Sequence, residues 1–188
     1  RPALLGIPSM GERGRSKPYG YTLMTGNGSA NAITPVLFKK KFHIDFGKTV
    51  QSVTRFNIFP SFLVVTTANF NVKDAADLVA QAKKNPGKIR YTSAGVGSFP
   101  HYDMEIFARR AGVDMIHIPN KTGAAGMLND LVVGDAQVAF LTSASSASTT
   151  KAGKPKLNPV AAAQRVPACP ACPTLAAAGL QRPCPPPD

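Results

Sequence analysis

The residues best suited to chemistry lie in one short segment, 92–101, with the sequence Thr-Ser-Ala-Gly-Val-Gly-Ser-Phe-Pro-His. Its two glycines, Gly95 and Gly97, let the backbone approach a ligand without a Cβ in the way. The hydroxyls of Ser93 and Ser98 add hydrogen-bond donors that carry no charge. Clustered amides and hydroxyls of this kind suit the binding of a carboxylate or a phosphate.

The elements around this segment must position its donors. An extended stretch, Lys88–Thr92, predicts a strand before it, and a stripe of Met104, Phe107, Ala108 and Ala111 predicts a helix after it. A strand, a Gly/Ser loop and a helix N-terminus together concentrate unpaired N–H groups and the positive end of the helix dipole. The sequence therefore predicts a small-anion site here, and a simple strand-to-helix turn is the alternative.

Other functions of this segment fit less well. A dinucleotide-binding fingerprint needs a third glycine where Pro100 stands, and the Gly-Lys-Ser/Thr of a P-loop is absent. A serine hydrolase that uses Ser93 or Ser98 with His101 is the competing function. The Gly-x-Ser-x-Gly motif is incomplete, however, and no acid that would orient the histidine is evident.

We expect no metal and no cofactor. The three histidines lack zinc-site spacing, and His117, in an alternating strand, is expected to be a structural side chain. Cys169 and Cys172 form a C-x-x-C motif, with Cys184 beyond it, but they lie in a proline-rich tail. Incidental cysteines are therefore favoured over a redox or metal site.

The composition favours anionic partners without indicating nucleic acid. The 188 residues are 44% hydrophobic, enough for a core, and carry 22 Lys and Arg against 10 Asp and Glu, a net charge of +12. The basic residues are scattered, and no nucleic-acid-binding module is recognisable, so no nucleic-acid partner is expected. No stretch approaches the roughly 18 apolar residues of a membrane span, and Arg1–Gly6 lacks the apolar region of a signal peptide.

A strand–loop–helix order repeats at least three times, which predicts an α/β fold with mainly parallel strands. Asp74 is expected to cap the clearest helix, and Gly112 and Gly134 to end two others. A second small-residue loop, 26–31, also follows a predicted strand, so both loops belong at the ligand-binding side of the sheet. The predicted strands are Tyr21–Thr25, Val50–Thr54, Phe62–Thr67, Lys88–Thr92, Val113–Ile118, Ala136–Leu141 and, weakly, Leu157–Ala163.

Several segments, in order and in register over roughly Tyr19–Leu180, together resemble one family. They are Gly20-Tyr21-Thr22-Leu23 with Thr25-Gly26-Asn27-Gly28, Lys83-Lys84-Asn85-Pro86-Gly87-Lys88, Ser93-Ala94-Gly95-Val96-Gly97-Ser98 with Pro100-His101, Ala111-Gly112-Val113-Asp114, His117-Ile118-Pro119, Lys151-Ala152-Gly153-Lys154 and Pro173-Thr174-Leu175-Ala176. This pattern resembles the Bug/TctC family of periplasmic solute-binding receptors, which serve tripartite tricarboxylate transporters.

The resemblance implies a type II periplasmic-binding-protein-like α/β fold, with mainly parallel sheets in two lobes and incomplete at the N-terminus. It also implies a periplasmic location, a small carboxylate ligand, membrane transporter subunits as partners, and no catalysis. The ligand-binding positions that it implies are Thr25, Gly26, Asn27, Gly28, Ser93, Gly95, Gly97, Ser98 and His101.

The expected organisation is an irregular N-terminal arm (1–18), an α/β solute-binding region (19–165) with a second lobe at roughly 88–150, and a proline-rich irregular tail (166–188). Two departures from the family stand out. The chain starts after the family's first strand and its loop, so an uncovered sheet edge would invite self-association. Leu141 also stands where many members carry an acidic residue, which removes a partner for ligands with an amino group.

Overall fold

The computed structural model describes residues 16–17, 19–41, 48, 50–55, 57–142, 145, 157–162 and 174. A π-helical turn (Ser29–Ile33) leads into the short helix Thr34–Leu37, and a 3-10 turn (Lys39–Lys41) follows it. The remaining helices and strands are α1 (Thr34–Leu37), β1 (Ser61–Thr66), α2 (Ala75–Lys84), β2 (Arg90–Ser93), α3 (Phe99–Ala111), β3 (Ile116–Pro119), α4 (Ala124–Val133), β4 (Val138–Thr142) and β5 (Leu157–Ala162).

The five strands form one sheet in the order β3-β2-β4-β1-β5. Strand β2 pairs in parallel with β3 and β4, whereas β1 pairs antiparallel with β4 and β5. The expectation of mainly parallel strands therefore holds only around β2, and the sheet is mixed. The cause is β1, which runs opposite to both of its neighbours and receives β5 on its outer side.

Both faces of the sheet are covered, which explains the continuous apolar run of β1. Because side chains alternate along a strand, Leu63 and Val65 pack under α2 and α3, while Phe62 and Val64 pack under α4. Met104 and Phe107 contribute the α3 side of the first cluster and Met127 and Leu131 the α4 side of the second. Burying a side chain of this size contributes about 1.5–3 kcal/mol.

Local signals place the helix ends as predicted. Asp74 accepts a hydrogen bond from the Asp77 amide at 2.8 Å, and the Asp77 carboxylate accepts one from the Lys73 amide, which makes a capping box at the start of α2. Gly112 and Gly134 end α3 and α4 in the left-handed conformation, at φ of 62° and 88°.

Two predicted strands are wrong. Tyr21–Thr25 and Val50–Thr54 have no regular secondary structure, and Tyr21 and Leu23 are 94% and 78% exposed. A strand is stable only when its backbone pairs and one of its faces is covered. Neither segment pairs with a described strand, so β-propensity alone was not enough.

Of the expected domain boundaries, the one near residue 88 falls well within the described residues. A second lobe starting near residue 88 would separate β1 and α2 from β2, yet these elements share one sheet and one core. The body that carries the Gly/Ser loop therefore includes β1 and α2, and the expected two-lobe division stays a prediction. Nearly all of the arm 1–18 and the tail 166–188, with the three cysteines, lie outside the described residues. Within the described ranges, no helix has the length and hydropathy needed to cross a membrane.

We expect Asp74→Ala to lower the free energy of unfolding by about 1 kcal/mol, because it removes the acceptor that caps α2. Urea denaturation measures this change. Asp135→Ala is the matched control, since Asp135 is exposed and has no hydrogen bond within the described residues; we expect a change within about 0.5 kcal/mol. Equal losses in both variants would contradict the capping role.

Candidate functional site

The Gly/Ser loop lies at the carboxyl end of the parallel strands. It leaves β2 at Ser93, whose carbonyl oxygen accepts the Asn120 amide at 2.8 Å just beyond β3. Ser93 and Ser98 are buried, whereas Val96, at the tip of the loop, is exposed. The loop thus occupies the edge where ligands of parallel sheets bind.

Most backbone amides of this loop are already bonded within the protein. The Gly95 amide donates to Ser93 Oγ at 3.1 Å, and the Ser98 amide donates to the Gly95 carbonyl at 3.1 Å. The Gly97 amide donates to His101 Nδ1 at 3.4 Å. Within the described chain, the amides of Ala94 and Val96 are the ones in this loop without a partner. The expectation that this whole row of amides faces an anion is therefore wrong.

The loop instead leaves a side-chain donor unsatisfied. Ser98 is the N-cap residue of α3, but its hydroxyl makes no capping bond. Its Oγ has no hydrogen-bond partner although the residue is only 3% exposed. A buried hydroxyl without a partner costs about 1–3 kcal/mol. Such a group at the positive end of a 13-residue helix can donate to an anion that enters the loop.

The first predicted loop meets the second at the start of α3. Ser29 Oγ accepts the Phe99 amide at 2.8 Å. A Cβ on Gly28 would lie 3.2 Å from the Phe99 ring, tighter than most side-chain contacts. Asn27 Oδ1 accepts the Ala30 amide at 2.9 Å, which anchors the first loop to its own helical turn.

The remaining predicted residues of the first loop lie at the protein surface. Thr25, Gly26 and Asn27 are all exposed. A Cβ at Gly26 would overlap the exposed Asn31 side chain, which would have to move to make room for it. Thr25 makes no hydrogen bond within the described residues, so its side chain is open to solvent.

His101 belongs to a cluster of rings behind the loop. Its ring lies 4.2 Å from that of His117, centroid to centroid, and His117 stacks on Tyr91 at 4.8 Å. Tyr91 donates its hydroxyl proton to Glu105 Oε1 at 2.5 Å, and His101 Nε2 lies 3.9 Å from the same oxygen. Strands β2 and β3 and helix α3 thus each contribute to one polar cluster.

Burial sets the protonation states of this cluster. It lowers the pKa of His101, against a smaller opposing effect of the Glu105 carboxylate. It lowers the pKa of His117 to about 4, with the nearby His101 lowering it further and Glu105 again opposing. Burial also raises the pKa of Tyr91, and its hydrogen bond to Glu105 adds to that effect. Near neutral pH both imidazoles are therefore uncharged.

The structure pairs a serine with a histidine, but the histidine is His117 and not the predicted His101. Ser98 Oγ contacts no histidine, whereas Ser93 Oγ lies 2.6 Å from His117 Nε2. Ser93 Oγ also accepts the Gly95 amide and lies 3.2 Å from the Gly95 carbonyl. A hydroxyl has one proton and two acceptor sites. All three contacts are satisfied when Ser93 donates to Gly95 and accepts from His117 Nε2–H.

Sequence reasoning missed three participants of this site. Ser29 lies inside the small-residue loop but gave no signal of its own. His117 was expected to be structural, and its contact with Ser93 follows from strand pairing. The Val96 amide became distinctive only once the neighbouring amides had partners. Within the described residues, no group of three or more His, Cys, Asp or Glu side chains is arranged to hold a metal ion.

Known proteins share both the sequence pattern and the fold. Residues 1–184 match the tripartite tricarboxylate transporter family receptor family, TctC. A UPF0065 protein of Bordetella pertussis is 30% identical over 155 residues, which are 82% of this chain and 46% of that protein. The chain therefore spans about half the length of this relative.

Two solved structures extend the comparison. A structure described as a periplasmic transporter superposes with a TM-score of 0.81 at 33% identity, covering 93% of this chain and 58% of that one. A protein of R. palustris solved with adipate gives a TM-score of 0.59 at 31% identity, covering 65% of this chain and 40% of that one. The fold is of the type II periplasmic-binding-protein class, and the chain belongs to the TctC (Bug) family of periplasmic solute-binding receptors.

Proposed function

We propose that this chain binds a small carboxylate in the periplasm and delivers it to membrane subunits of a tripartite tricarboxylate-type transporter, without catalysis. The observation that carries the proposal is the buried Ser98 hydroxyl, which lacks a partner at the N-terminus of α3. Adipate bound to the R. palustris relative has the same ligand chemistry. The net charge of +12 favours the approach of anions.

The donors that we assign to the carboxylate are few. The Ser98 hydroxyl gains the acceptor that it lacks, and the Val96 amide supplies a second donor from the exposed tip of the loop. The dipole of α3 favours negative charge at the same point. Hydrogen bonds to a charged acceptor contribute about 1.5–3 kcal/mol each. No full counter-charge is needed when the oxygens find such donors.

The other expected ligand-binding residues shape the site around these donors. Gly95 and Gly97 turn the loop at φ of 113° and 82°, a conformation that other residues rarely adopt. A Cβ at Gly28 would press on the Phe99 ring, and one at Gly26 would displace the Asn31 side chain. We assign Thr25 and Asn27 to the rim of the site, since both are exposed.

Binding fits the geometry better than hydrolysis does. Ser93 is fully buried, and its hydroxyl already has three contacts. A nucleophile must reach its substrate and give its proton to a base. A Ser93 hydroxyl that donates to the Gly95 carbonyl and accepts from Gly95 and His117 is poorly placed for that role. Self-association through an uncovered edge of the sheet stays a prediction; β3 is the outer strand beside the site.

Ser98→Ala separates binding from folding. Because it removes a hydroxyl that has no partner, we expect the unliganded protein to keep its stability or gain up to about 1 kcal/mol. We expect affinity for the bound carboxylate to fall at least about tenfold, the loss of one hydrogen bond to a charged group. Thermal-shift and calorimetric titrations with a panel of di- and tricarboxylates, including adipate and citrate, measure both quantities.

Thr34→Val is the matched control, since Thr34 Oγ1 is also buried and without a partner. We expect its carboxylate affinity to equal that of the wild type. Unchanged affinity in Ser98→Ala would remove Ser98 from the site. Turnover of activated esters that depends on Ser93 or Ser98 would support the hydrolase instead.

A further inference from the structure

Helix α3 begins with half of a capping box. In the usual box, a side chain three residues after the N-cap, commonly Glu or Gln, accepts a backbone N–H at the N-cap, while the N-cap hydroxyl accepts the N–H of that third residue. Here His101 holds the third position and accepts the N–H of Gly97, one residue before the N-cap Ser98. The reciprocal bond is absent, because Ser98 Oγ has no partner.

The 3.4 Å contact with the Gly97 amide requires one chemical state of His101. To accept the Gly97 amide, Nδ1 must carry no proton, so the proton of the neutral ring sits on Nε2. That nitrogen lies 3.9 Å from Glu105 Oε1, a direction that suits an N–H group. His101 is therefore a neutral acceptor for the loop.

His117 supports the other glycine of the loop through a serine. It contacts Ser93 Oγ at 2.6 Å, and that oxygen accepts the Gly95 amide at 3.1 Å. The two imidazole rings are in contact, with centroids 4.2 Å apart, and His117 is stacked against Tyr91 from β2. The two packed rings thus support both glycine amides, His101 directly at Gly97 and His117 through Ser93 at Gly95.

We propose that His101 and His117 are positioning residues, which hold the Gly97 amide and the Ser93 hydroxyl within the protein so that Ser98 is left for the ligand, and that acid releases the loop. This inference rests on the proposed carboxylate binding. Neither histidine needs to touch the ligand for this role. The role requires only that each ring stays neutral and in place.

Acid changes the cluster in a defined way. A protonated His101 has N–H groups on both nitrogens, so it can no longer accept the Gly97 amide. A second proton on His117 would place two positive charges in neighbouring rings. The groups that face the pair within the described chain are Tyr91 from β2 and Glu105 from α3, and Glu105 supplies the nearest negative charge. Burial lowers the pKa of both rings, which keeps them neutral near pH 7.

Two substitutions at His101 test the positioning role. His101→Gln keeps an acceptor of the usual capping-box type, whereas His101→Leu removes it. At pH 7.5 we expect adipate or citrate affinity within about threefold of the wild type for Gln and at least about tenfold weaker for Leu. Calorimetric titration measures both, and urea denaturation reports whether each variant is folded.

The outcomes separate three roles. Equal losses in the Gln and Leu variants would overturn the proposal in favour of direct ligand contact by the imidazole. Normal affinity in a folded Leu variant would overturn it in favour of packing alone. If the wild type binds no carboxylate, the proposed function fails, and the Gly97 amide resonance then tests the loop by itself. It should shift as His101 titrates and stay fixed in His101→Gln; an amide that does not respond in the wild type overturns the inference.

Stability against pH gives an independent test. Unfolded imidazoles bind protons near pH 6.5, whereas His117 in the folded protein does so only at about 4. Between these values the unfolded chain binds more protons, so stability is lost as the pH falls through this window. We expect the urea midpoint to fall between pH 7.5 and 4.5, and to fall by less in the double variant His101→Gln/His117→Gln. Equal shifts in both proteins would show that the pair does not sense acid.

Discussion

The parallel register of β2 and β3 is the constraint on which the site depends. It places Tyr91 opposite His117 and ends with Ser93 opposite Pro119. A shift of one residue would turn His117 to the other face of the sheet, and the contacts of its ring with Tyr91 and Ser93 would be lost. The register is secured by the core on both faces, where β2 and β4 are covered by helices. Packing far from the loop thus fixes the positions of its hydrogen-bonding partners.

The loop itself combines internal order with one buried side-chain donor that has no partner. Gly95, Gly97 and Ser98 each place the backbone amide on an acceptor of the protein. These bonds hold the loop in one conformation before any ligand arrives, which reduces the entropy that binding must overcome. The Ser98 side chain is the exception. Internal hydrogen bonds order the loop, and a donor without an internal partner is what remains available to a ligand.

Local signals predicted the helices well and the site only in part. Asp74, Gly112 and Gly134 marked helix ends because capping and left-handed glycines act within a few residues of the chain. The Gly/Ser loop was found for the same reason. Its partners were not, because Ser29 and Phe99 lie 70 residues apart and Ser93 and His117 lie 24 apart. Such contacts follow from strand order and register, which periodicity does not encode.

The failed predictions have the same origin. The Tyr21–Thr25 segment has the β-branched and aromatic residues of a strand but no neighbour in the described sheet. Strand propensity measures how well a residue fits a pleated, half-covered surface, and the sequence does not say whether that surface exists. The reversed direction of β1 is a similar case. Its apolar run predicts burial on both faces, and a strand in either direction satisfies that requirement.

Helix α3 shows how a binding donor can be left free without loss of the helix. A capping bond accepted by Ser98 Oγ would stabilise the N-terminus by about 1 kcal/mol, but this hydroxyl makes no capping bond and has no other partner. The helix is secured elsewhere, by Gly112 in the left-handed conformation and by Arg109 and Arg110 in the last turn, where cations favour the negative end of the dipole. Burial of apolar side chains along the helix adds several kcal/mol more. The N-terminus of α3 can therefore lack its capping bond, because the C-terminal end and the buried face of the helix keep it stable.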